Sequence, residues 1–148
     1  MHRKTILLVE DNPDDIALTL RALRKNDLLD RVIVAHDGAE AIGRLLGRGG
    51  TVDREGLIPQ LVLLDLNLPK IDGLDVLRQL RADPRTHRLP VVILTSSRER
   101  EDVVRSYELG ANSYIRKPVD FTKFVDAIGH VGTYWLAINE PPPDVLVM

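Results

Sequence analysis

The chain lacks cysteine, an excess of basic charge and any long apolar run, and each of these absences excludes a class of function. With no cysteine among 148 residues, disulfides, thiolate nucleophiles and cysteine metal sites are excluded, as is typical of a cytoplasmic protein. Twenty basic residues stand against twenty-two acidic ones, so no basic excess exists to displace the counterions of a nucleic acid. The aliphatic runs, such as Leu61 to Leu64, are too short to span a bilayer, and we expect no signal peptide ahead of them. We therefore expect neither a nucleic acid nor a membrane among the partners.

Short apolar segments alternate with helical patterns along the chain. Hydrophobic residues make up 44% of the sequence, which is enough to form one globular core. The predicted strands are Ile6 to Val9, Val32 to Ala35, Leu61 to Leu64, Val91 to Leu94 and Ser113 to Arg116. The predicted helices are centred on Ile16 to Leu23, Ile42 to Leu46, Leu74 to Leu80, Val103 to Tyr107 and Phe121 to Trp135. Because strand and helix alternate five times, the pattern predicts an α/β domain with a parallel sheet.

The chain is predicted to form one domain with a short tail. Residues 1–139 form the domain, whose fifth helix is extended and runs from Asp120 to about Asn139. Residues 140–148 form a proline-rich tail, which begins where prolines end the last helix. The glycine-rich, charged segment from Gly47 to Gln60 is predicted to be a long loop between the second helix and the third strand.

Polar residues follow the apolar runs, at the edge of the sheet where ligands of open α/β folds collect. These residues are Glu10, Asp11, Asp65, Thr95 and Lys117. Three carboxylates suit a hard divalent cation such as Mg²⁺. Without a cation, two carboxylates about 5 Å apart repel each other by roughly 3 kcal/mol. Lys117 and Thr95 can hold phosphate oxygens, and an aspartate can itself be the covalent nucleophile of phosphoryl transfer.

Each of these residues also has an ordinary structural explanation when it is taken alone. Asp65 can cap a turn, and the pair Glu10 and Asp11 can mark the start of a helix. Thr95 suits a strand, and Lys117 can be a solvated surface charge. Their convergence on one edge favours a site, whereas the sequence has no GxxxxGK[ST], HExxH or GxSxG motif. The four histidines show no metal-ligand spacing.

Four motifs occur in a fixed order along the chain. They are the runs Ile6 to Asp11, Leu64 to Pro69 with Asp72 and Gly73, Thr95 to Ser97, and Tyr114 to Pro118. Together they resemble the receiver domain of the response-regulator family of two-component signalling, over about Lys4 to Val131. The resemblance implies a flavodoxin-like, doubly wound, five-stranded parallel sheet of order 2-1-3-4-5 with five flanking helices.

The same resemblance implies a role for each motif residue. Asp65 would accept a phosphoryl group from a phosphohistidine on a partner histidine kinase. Mg²⁺ would be held by Asp11, Asp65 and the main-chain carbonyl of Asn67, with Glu10 supporting it through water. Thr95 and Lys117 would bind the phosphoryl group, and Tyr114 would be the switch aromatic beside Thr95. Such a domain assists its own phosphorylation and dephosphorylation and is not a turnover enzyme.

Two features depart from the common family pattern. Glu10 stands where many members carry aspartate, a change that an outer role at the metal tolerates. About ten residues follow the fifth helix, so we expect a stand-alone receiver without an output domain. The loop before Pro59, the run Tyr134 to Leu136 and the run Asn139 to Pro142 resemble the single-domain regulators paired with bacterial phytochrome kinases.

The end of the fifth helix is rich in large apolar residues. They are Val131, Tyr134, Trp135, Leu136 and Ile138. This is more than one core-facing stripe accommodates, so we expect a homodimer through the fifth helix, anchored by Trp135. The alternative is that Trp135 folds back under the loop from Gly47 to Gln60.

Three other functions are open to a chain with this pattern. A haloacid-dehalogenase-type phosphatase also forms an aspartyl phosphate, but it needs a second acid two residues after the nucleophile, where this chain has Asn67. A flavodoxin-like flavin-binding module is disfavoured because an acidic edge repels the flavin phosphate. A receiver-shaped interaction protein that is never phosphorylated is disfavoured by the intact acids, hydroxyl and lysine.

Overall fold

The computed structural model describes residues 4–47, 58–117 and 120–142. The strands are β1 (Ile6–Val9), β2 (Val32–Ala35), β3 (Leu61–Leu64), β4 (Val91–Thr95) and β5 (Ser113–Arg116). The helices are α1 (Pro13–Lys25), α2 (Gly38–Leu46), α3 (Gly73–Ala82), α4 (Arg100–Glu108) and α5 (Phe121–Thr133). Four of the five predicted strands have the expected bounds, and β4 is one residue longer because Thr95 continues its pairing with Arg116.

All five strands are parallel and lie in the order β2-β1-β3-β4-β5, so the predicted fold is confirmed. The register pairs Val9 with Ala35 on one side and with Leu64 on the other. Thr95 pairs with Arg116 at the same end of the sheet. Consequently the carboxyl ends of β1, β3, β4 and β5 are aligned, and the residues that follow them share one edge.

Both faces of the sheet are covered by helices, as the apolar runs on both strand faces predict. Alternate residues of one strand therefore enter different cores. Leu7 and Val9 pack on the side of α2 and α3, whereas Ile6 and Leu8 pack on the side of α1 and α5. The second core contains Phe124 from α5.

Side-chain caps start four of the helices at the loops that border the carboxyl edge. The capping residues are Asn12, Asp37, Asp72 and Asp120, each of which accepts backbone N–H groups of its own first turn. The helix α4 has no such cap and buries only Ser106. Its Val104 and Tyr107 are exposed, so α4 is the helix that is held least firmly by the core.

The helical segment that starts with α5 reaches Ile138, close to the predicted end at about Asn139, but its last turn is not α-helical. The α-helix stops at Thr133 and continues as a π-helical turn, Tyr134–Ile138, in which the N–H of Asn139 donates to the carbonyl of Tyr134. Lys4 Nζ donates to the carbonyl of Leu136 at 2.7 Å, which ties this turn to the segment just before β1. Trp135 is half-buried against the α1 and α5 core, so it packs within its own chain.

Some predictions fall outside the described residues. These are most of the loop from Gly47 to Gln60, Pro118 of the last motif and the tail beyond Pro142. The alternative position of Trp135 under that loop lies partly outside them as well. Among the described residues, no helix is both long enough and apolar enough to cross a bilayer.

Candidate phosphoryl-transfer site

Three of the predicted residues form a compact acidic cluster at the carboxyl edge. Glu10 and Asp11 follow β1, and Asp65 follows β3. The N–H of Asp65 donates to the carbonyl of Val9 at 3.1 Å, which fixes the two strand ends side by side. Each of the three acids offers one carboxylate oxygen, and these oxygens lie within 4.8 Å of one another.

The cluster fits a hard divalent cation. Glu10 and Asp65 are buried, so neither carboxylate is fully solvated, whereas Asp11 is exposed and offers its oxygen from the solvent side. Oxygen ligands of this kind are those that Mg²⁺ and Mn²⁺ prefer. Asn67 is an exposed residue between the buried Leu66 and Leu68, and the role of its carbonyl as a further ligand stays a prediction.

Lys117 balances the charge of this cluster. It follows β5, where its N–H donates to the carbonyl of Thr95 at 2.8 Å. Its side chain is only 7% exposed, and its Nζ donates to Glu10 Oε1. The Nζ also lies 3.8 Å from Asp65 Oδ2. The cation predicted to bind a phosphoryl oxygen therefore already lies next to the predicted acceptor.

The same burial changes the ionisation of both partners. Burial raises the pKa of Glu10, the nearby Asp65 carboxylate adds to the rise, and the hydrogen bond from Lys117 opposes it, which leaves that pKa at about 7. Burial lowers the pKa of Lys117, but its contacts with Glu10, Asp65 and Asp15 outweigh burial and raise that pKa above its usual value. Lys117 is therefore charged throughout the physiological range.

We expect the raised pKa of Glu10 to make metal binding depend on pH. Below about pH 7 the metal-free protein holds a proton on Glu10, which Mg²⁺ must displace, so the affinity should fall by up to about tenfold per pH unit. Calorimetric titration of Mg²⁺ between pH 5.5 and 8 measures this slope. The Glu10→Gln variant should flatten it. The Glu40→Gln variant, which changes a carboxylate on α2, should keep it, and an unchanged slope in Glu10→Gln would contradict the assignment.

Backbone groups of Leu66 and of the start of α3 hold Asp65 in place. The N–H of Leu66 donates to Asp65 Oδ1 at 2.8 Å, and the N–H of Gly73 donates to the carbonyl of Leu66 at 2.9 Å. A Cβ at position 73 would lie 2.3 Å from the carbonyl oxygen of Asp65. The start of α3 can approach β3 this closely only because residue 73 has no side chain.

Thr95 and Tyr114 are connected through Ser97. Thr95 is fully buried at the end of β4, and its Oγ1 accepts the N–H of Ser97 at 3.4 Å. The Tyr114 hydroxyl donates to the carbonyl of Ser97 at 3.2 Å. The Ser97 hydroxyl donates to Asp102 Oδ2 on α4 at 2.6 Å. Ser97 thus contacts both predicted switch residues, Thr95 and Tyr114, and also the helix α4.

The sequence did not single out several residues that the structure brings to this region. Asp15, in the first turn of α1, accepts from Lys117 Nζ at 3.0 Å. Ser97 belongs to the motif that begins at Thr95, but the motif predicts no role for it. At the opposite edge of the sheet, Arg81 donates to the carbonyls of Gly110 and Leu89 and so braces the turn before β5. The sequence carries no signal for pairs so far apart along the chain.

The sheet order and the acidic edge are those expected of the receiver class of signalling domain. The family model for the response regulator receiver domain matches residues 6–129, and the chain belongs to that family. The resemblance drawn from the four motifs is therefore confirmed.

Three relatives span nearly the whole chain. The response regulator Rcp1 of Synechocystis is 37% identical over 90% of this chain and 89% of its own, and its Mn²⁺-bound structure aligns with a TM-score of 0.83. The phosphorylated cyanobacterial phytochrome response regulator RcpA is 37% identical, with a TM-score of 0.85, over 97% of this chain and 100% of its own. The bacteriophytochrome response regulator RtBRR is 50% identical, with a TM-score of 0.76, over 99% and 88%. The chain is thus similar to a cyanobacterial phytochrome response regulator and to a bacteriophytochrome response regulator over nearly its whole length.

Proposed function

We propose that Asp65 is the phosphoacceptor of this receiver and that Mg²⁺ is its metal. The observation that carries the proposal is the position of Asp65, which belongs to the acidic cluster and lies 3.8 Å from the buried ammonium of Lys117. Among the described residues of that cluster, Asp65 is the one whose side chain accepts the backbone N–H of the next residue, Leu66. The metal-bound Rcp1 structure supports a divalent cation, and the preference for Mg²⁺ rests on the all-oxygen ligands.

The chain's own residues supply the remaining chemistry. An oxygen of the Asp65 carboxylate attacks the phosphorus of a phosphohistidine, the P–N bond breaks with its electron pair on the imidazole nitrogen, and that nitrogen takes up a proton from solvent. Lys117 neutralises negative charge on the phosphoryl oxygens, and Thr95 donates a hydroxyl hydrogen bond to one of them. A bound Mg²⁺ would be held by Asp11, Asp65 and the Asn67 carbonyl, with Glu10 in support, and would neutralise the same oxygens.

The acceptor is tested by labelling with acetyl phosphate. With Mg²⁺, the protein should gain a single phosphoryl group by intact mass, hydroxylamine should remove it, and peptide mapping should place it on Asp65. With EDTA the reaction should stop. Labelling of a serine or histidine in place of Asp65 would overturn the proposal.

We propose further that the protein is a phosphoacceptor and not a turnover phosphatase. Two residues after Asp65, where a haloacid-dehalogenase-type enzyme needs its general acid, the exposed Asn67 cannot transfer a proton. Small phosphate esters should therefore not be turned over, and sustained release of phosphate would favour the enzyme.

Phosphorylation is expected to change the surface formed by α4, β5 and α5. The phosphoryl group draws the Thr95 hydroxyl toward itself and away from Ser97, and Tyr114 then rotates inward into the space that is opened. Because Ser97 also bonds Asp102, the change reaches α4. We expect a coupling free energy of about 1–3 kcal/mol.

This coupling is tested with the Thr95→Ala variant and Thr95→Ser as its matched control. Both should remain phosphorylatable on Asp65, but only the serine variant should keep the chemical-shift changes of Tyr114 and α4 on adding beryllofluoride. If that surface does not respond in the wild-type protein while the site does, the coupling is absent.

The proposed partner is a histidine kinase of the phytochrome type, which would meet this protein in the cytoplasm. The support is the similarity to Rcp1, RcpA and RtBRR over nearly whole chains. A phosphotransfer screen against the histidine kinases of the source organism decides it. Preferred transfer from a kinase without a light-sensing module would contradict the phytochrome assignment.

We also propose a two-fold dimer through the end of α5. Ile138 is 67% exposed and Tyr134 is 45% exposed, and they lie four residues apart on the π-helical turn. Together with Asp126 and His130, they line a groove of about 580 Å³. A second copy could place its exposed apolar pair in this groove, as an isologous contact requires. We therefore propose Ile138 as the anchor of the dimer in place of Trp135, because Trp135 packs against the core of its own chain.

The dimer is tested by light scattering at micromolar concentrations. Ile138→Glu should give a folded monomer, because it places a charge in the contact. Ala82→Glu adds the same charge at the exposed end of α3, on the opposite face of the sheet, and should leave the dimer intact. A wild-type protein that stays monomeric with and without beryllofluoride would rule the dimer out.

A further inference from the structure

Asp15 is the contact of Lys117 that the family motifs do not explain. Its Oδ2 accepts from Lys117 Nζ at 3.0 Å, across 102 positions of sequence. The carboxylate is 35% exposed, whereas the lysine side chain is 7% exposed, so the pair lies at the mouth of the site. Asp15 does not belong to the cluster of Glu10, Asp11 and Asp65, the group of described residues suited to a metal. A cation bound there leaves Asp15 free to keep its contact.

The contacts of Lys117 occupy two of the three donors of its ammonium group. Two N–H groups point at Glu10 and Asp15, with which Nζ makes hydrogen bonds. The third donor makes no hydrogen bond among the described residues, and Asp65 Oδ2 lies 3.8 Å from Nζ, beyond direct hydrogen-bond distance. The space between Lys117 Nζ and Asp65 Oδ2 is thus next to the proposed acceptor. Two anchors therefore orient the ammonium so that its third donor faces the place where a phosphoryl oxygen arrives.

Asp15 is itself fixed by the start of α1. Asn12 caps the helix, and its Oδ1 accepts the N–H groups of Asp14 and Asp15 at 2.9 and 3.1 Å. The N–H of Asn12 lies 3.3 Å from Glu10 Oε2, so the cap is also tied to the other anchor of Lys117. Asp14 and Asp15 both lie in the first turn of α1, where negative charge stabilises the helix. This stabilisation of the helix is the same for Asp14 and Asp15, but only Asp15 contacts Lys117.

We propose that Asp15 is a positioning residue for phosphoryl transfer, which holds the Lys117 ammonium over Asp65 so that it meets the phosphoryl group without rearrangement. The proposal rests on the assignment of Asp65 as the acceptor. Without Asp15, one of two anchors is lost, and the long lysine side chain must be ordered at the moment of binding. The loss of Asp15 should therefore weaken binding of the phosphoryl group. It should affect metal binding only by removing one nearby negative charge.

The test compares Asp15→Ala with Asp14→Ala, which removes an equal charge from the same helical turn. Calorimetry gives the affinity for Mg²⁺ alone and then, at saturating Mg²⁺, for beryllofluoride as the phosphoryl analogue. Both variants should lower the Mg²⁺ affinity slightly and equally. Only Asp15→Ala should weaken beryllofluoride binding, by about tenfold, the scale of one charge-assisted hydrogen bond. Asp15→Glu, which restores a carboxylate, should recover most of that loss.

A second measurement reports on the lysine itself, without metal or analogue. The side-chain ammonium of Lys117 should give a sharp NMR signal in the wild-type protein and in Asp14→Ala, because it is held and shielded from exchange, and a broadened one in Asp15→Ala. Equal beryllofluoride affinity in the two alanine variants would overturn the proposal, and tighter binding in Asp15→Ala would show that Asp15 competes with the phosphoryl group. If neither the wild-type protein nor Asp14→Ala binds beryllofluoride, it is the assignment of Asp65 that fails.

Discussion

The Asp65→Asn variant should form no acyl phosphate with acetyl phosphate and Mg²⁺. An amide is neutral and does not act as the carboxylate nucleophile, so the loss is expected to be complete. The hydrogen bond from the N–H of Leu66 can be kept by the asparagine oxygen, so the loop should stay in place. Intact-mass measurement over a time course gives the result directly.

The stability of this variant separates a chemical loss from misfolding. Asp65 lies in a cluster of three carboxylates, so removing one charge relieves repulsion in the metal-free protein. The free energy of unfolding in urea should therefore be no lower than that of the wild-type protein. Asp72→Asn is the matched control, because asparagine caps α3 as well as aspartate does and the residue is exposed. It should be phosphorylated normally. Undiminished acyl phosphate on Asp65→Asn would reject Asp65 as the acceptor.

The Gly73→Ala variant should lose both stability and phosphorylation. The added Cβ would lie 2.3 Å from the carbonyl oxygen of Asp65 and 2.6 Å from the Cα of Leu66, both of them backbone atoms. Backbone cannot rotate out of the way, so α3 or the end of β3 must shift. We expect a loss of about 3 kcal/mol in the free energy of unfolding, at the upper end of overpacking effects. A shift of Asp65 away from Lys117 should also slow labelling by acetyl phosphate.

Gly132→Ala is the control for this effect. Its Cβ would also come within 2.3 Å of a neighbour, but that neighbour is Cδ1 of Leu28, the far end of a flexible side chain. Leu28 can change rotamer, and alanine favours the helix at position 132, so the net change should be small. Urea denaturation of both variants makes the comparison. Equal stability of the two would show that the contact of α3 with β3 is not rigid.

The sequence was sufficient for the elements and for the edge of the sheet that bears the site. Short apolar runs bounded by turn residues favour buried strands, leucines at helical spacing favour helices, and both patterns are local. Because parallel strands point the same way, the residues after them had to meet, which placed Asp11, Asp65 and Lys117 together. The strand order came from the family motifs, since local periodicity does not distinguish one arrangement of parallel strands from another.

The tertiary structure alone decided which distant side chains touch. The pairing of Asp15 with Lys117 and the contact of Lys4 with the carbonyl of Leu136 join residues more than 100 positions apart. The π-helical turn after Thr133 and the half-burial of Trp135 depend in the same way on how α5 packs against α1 and β1. Such contacts are fixed by the relative placement of whole elements, and no local pattern of residues encodes that placement.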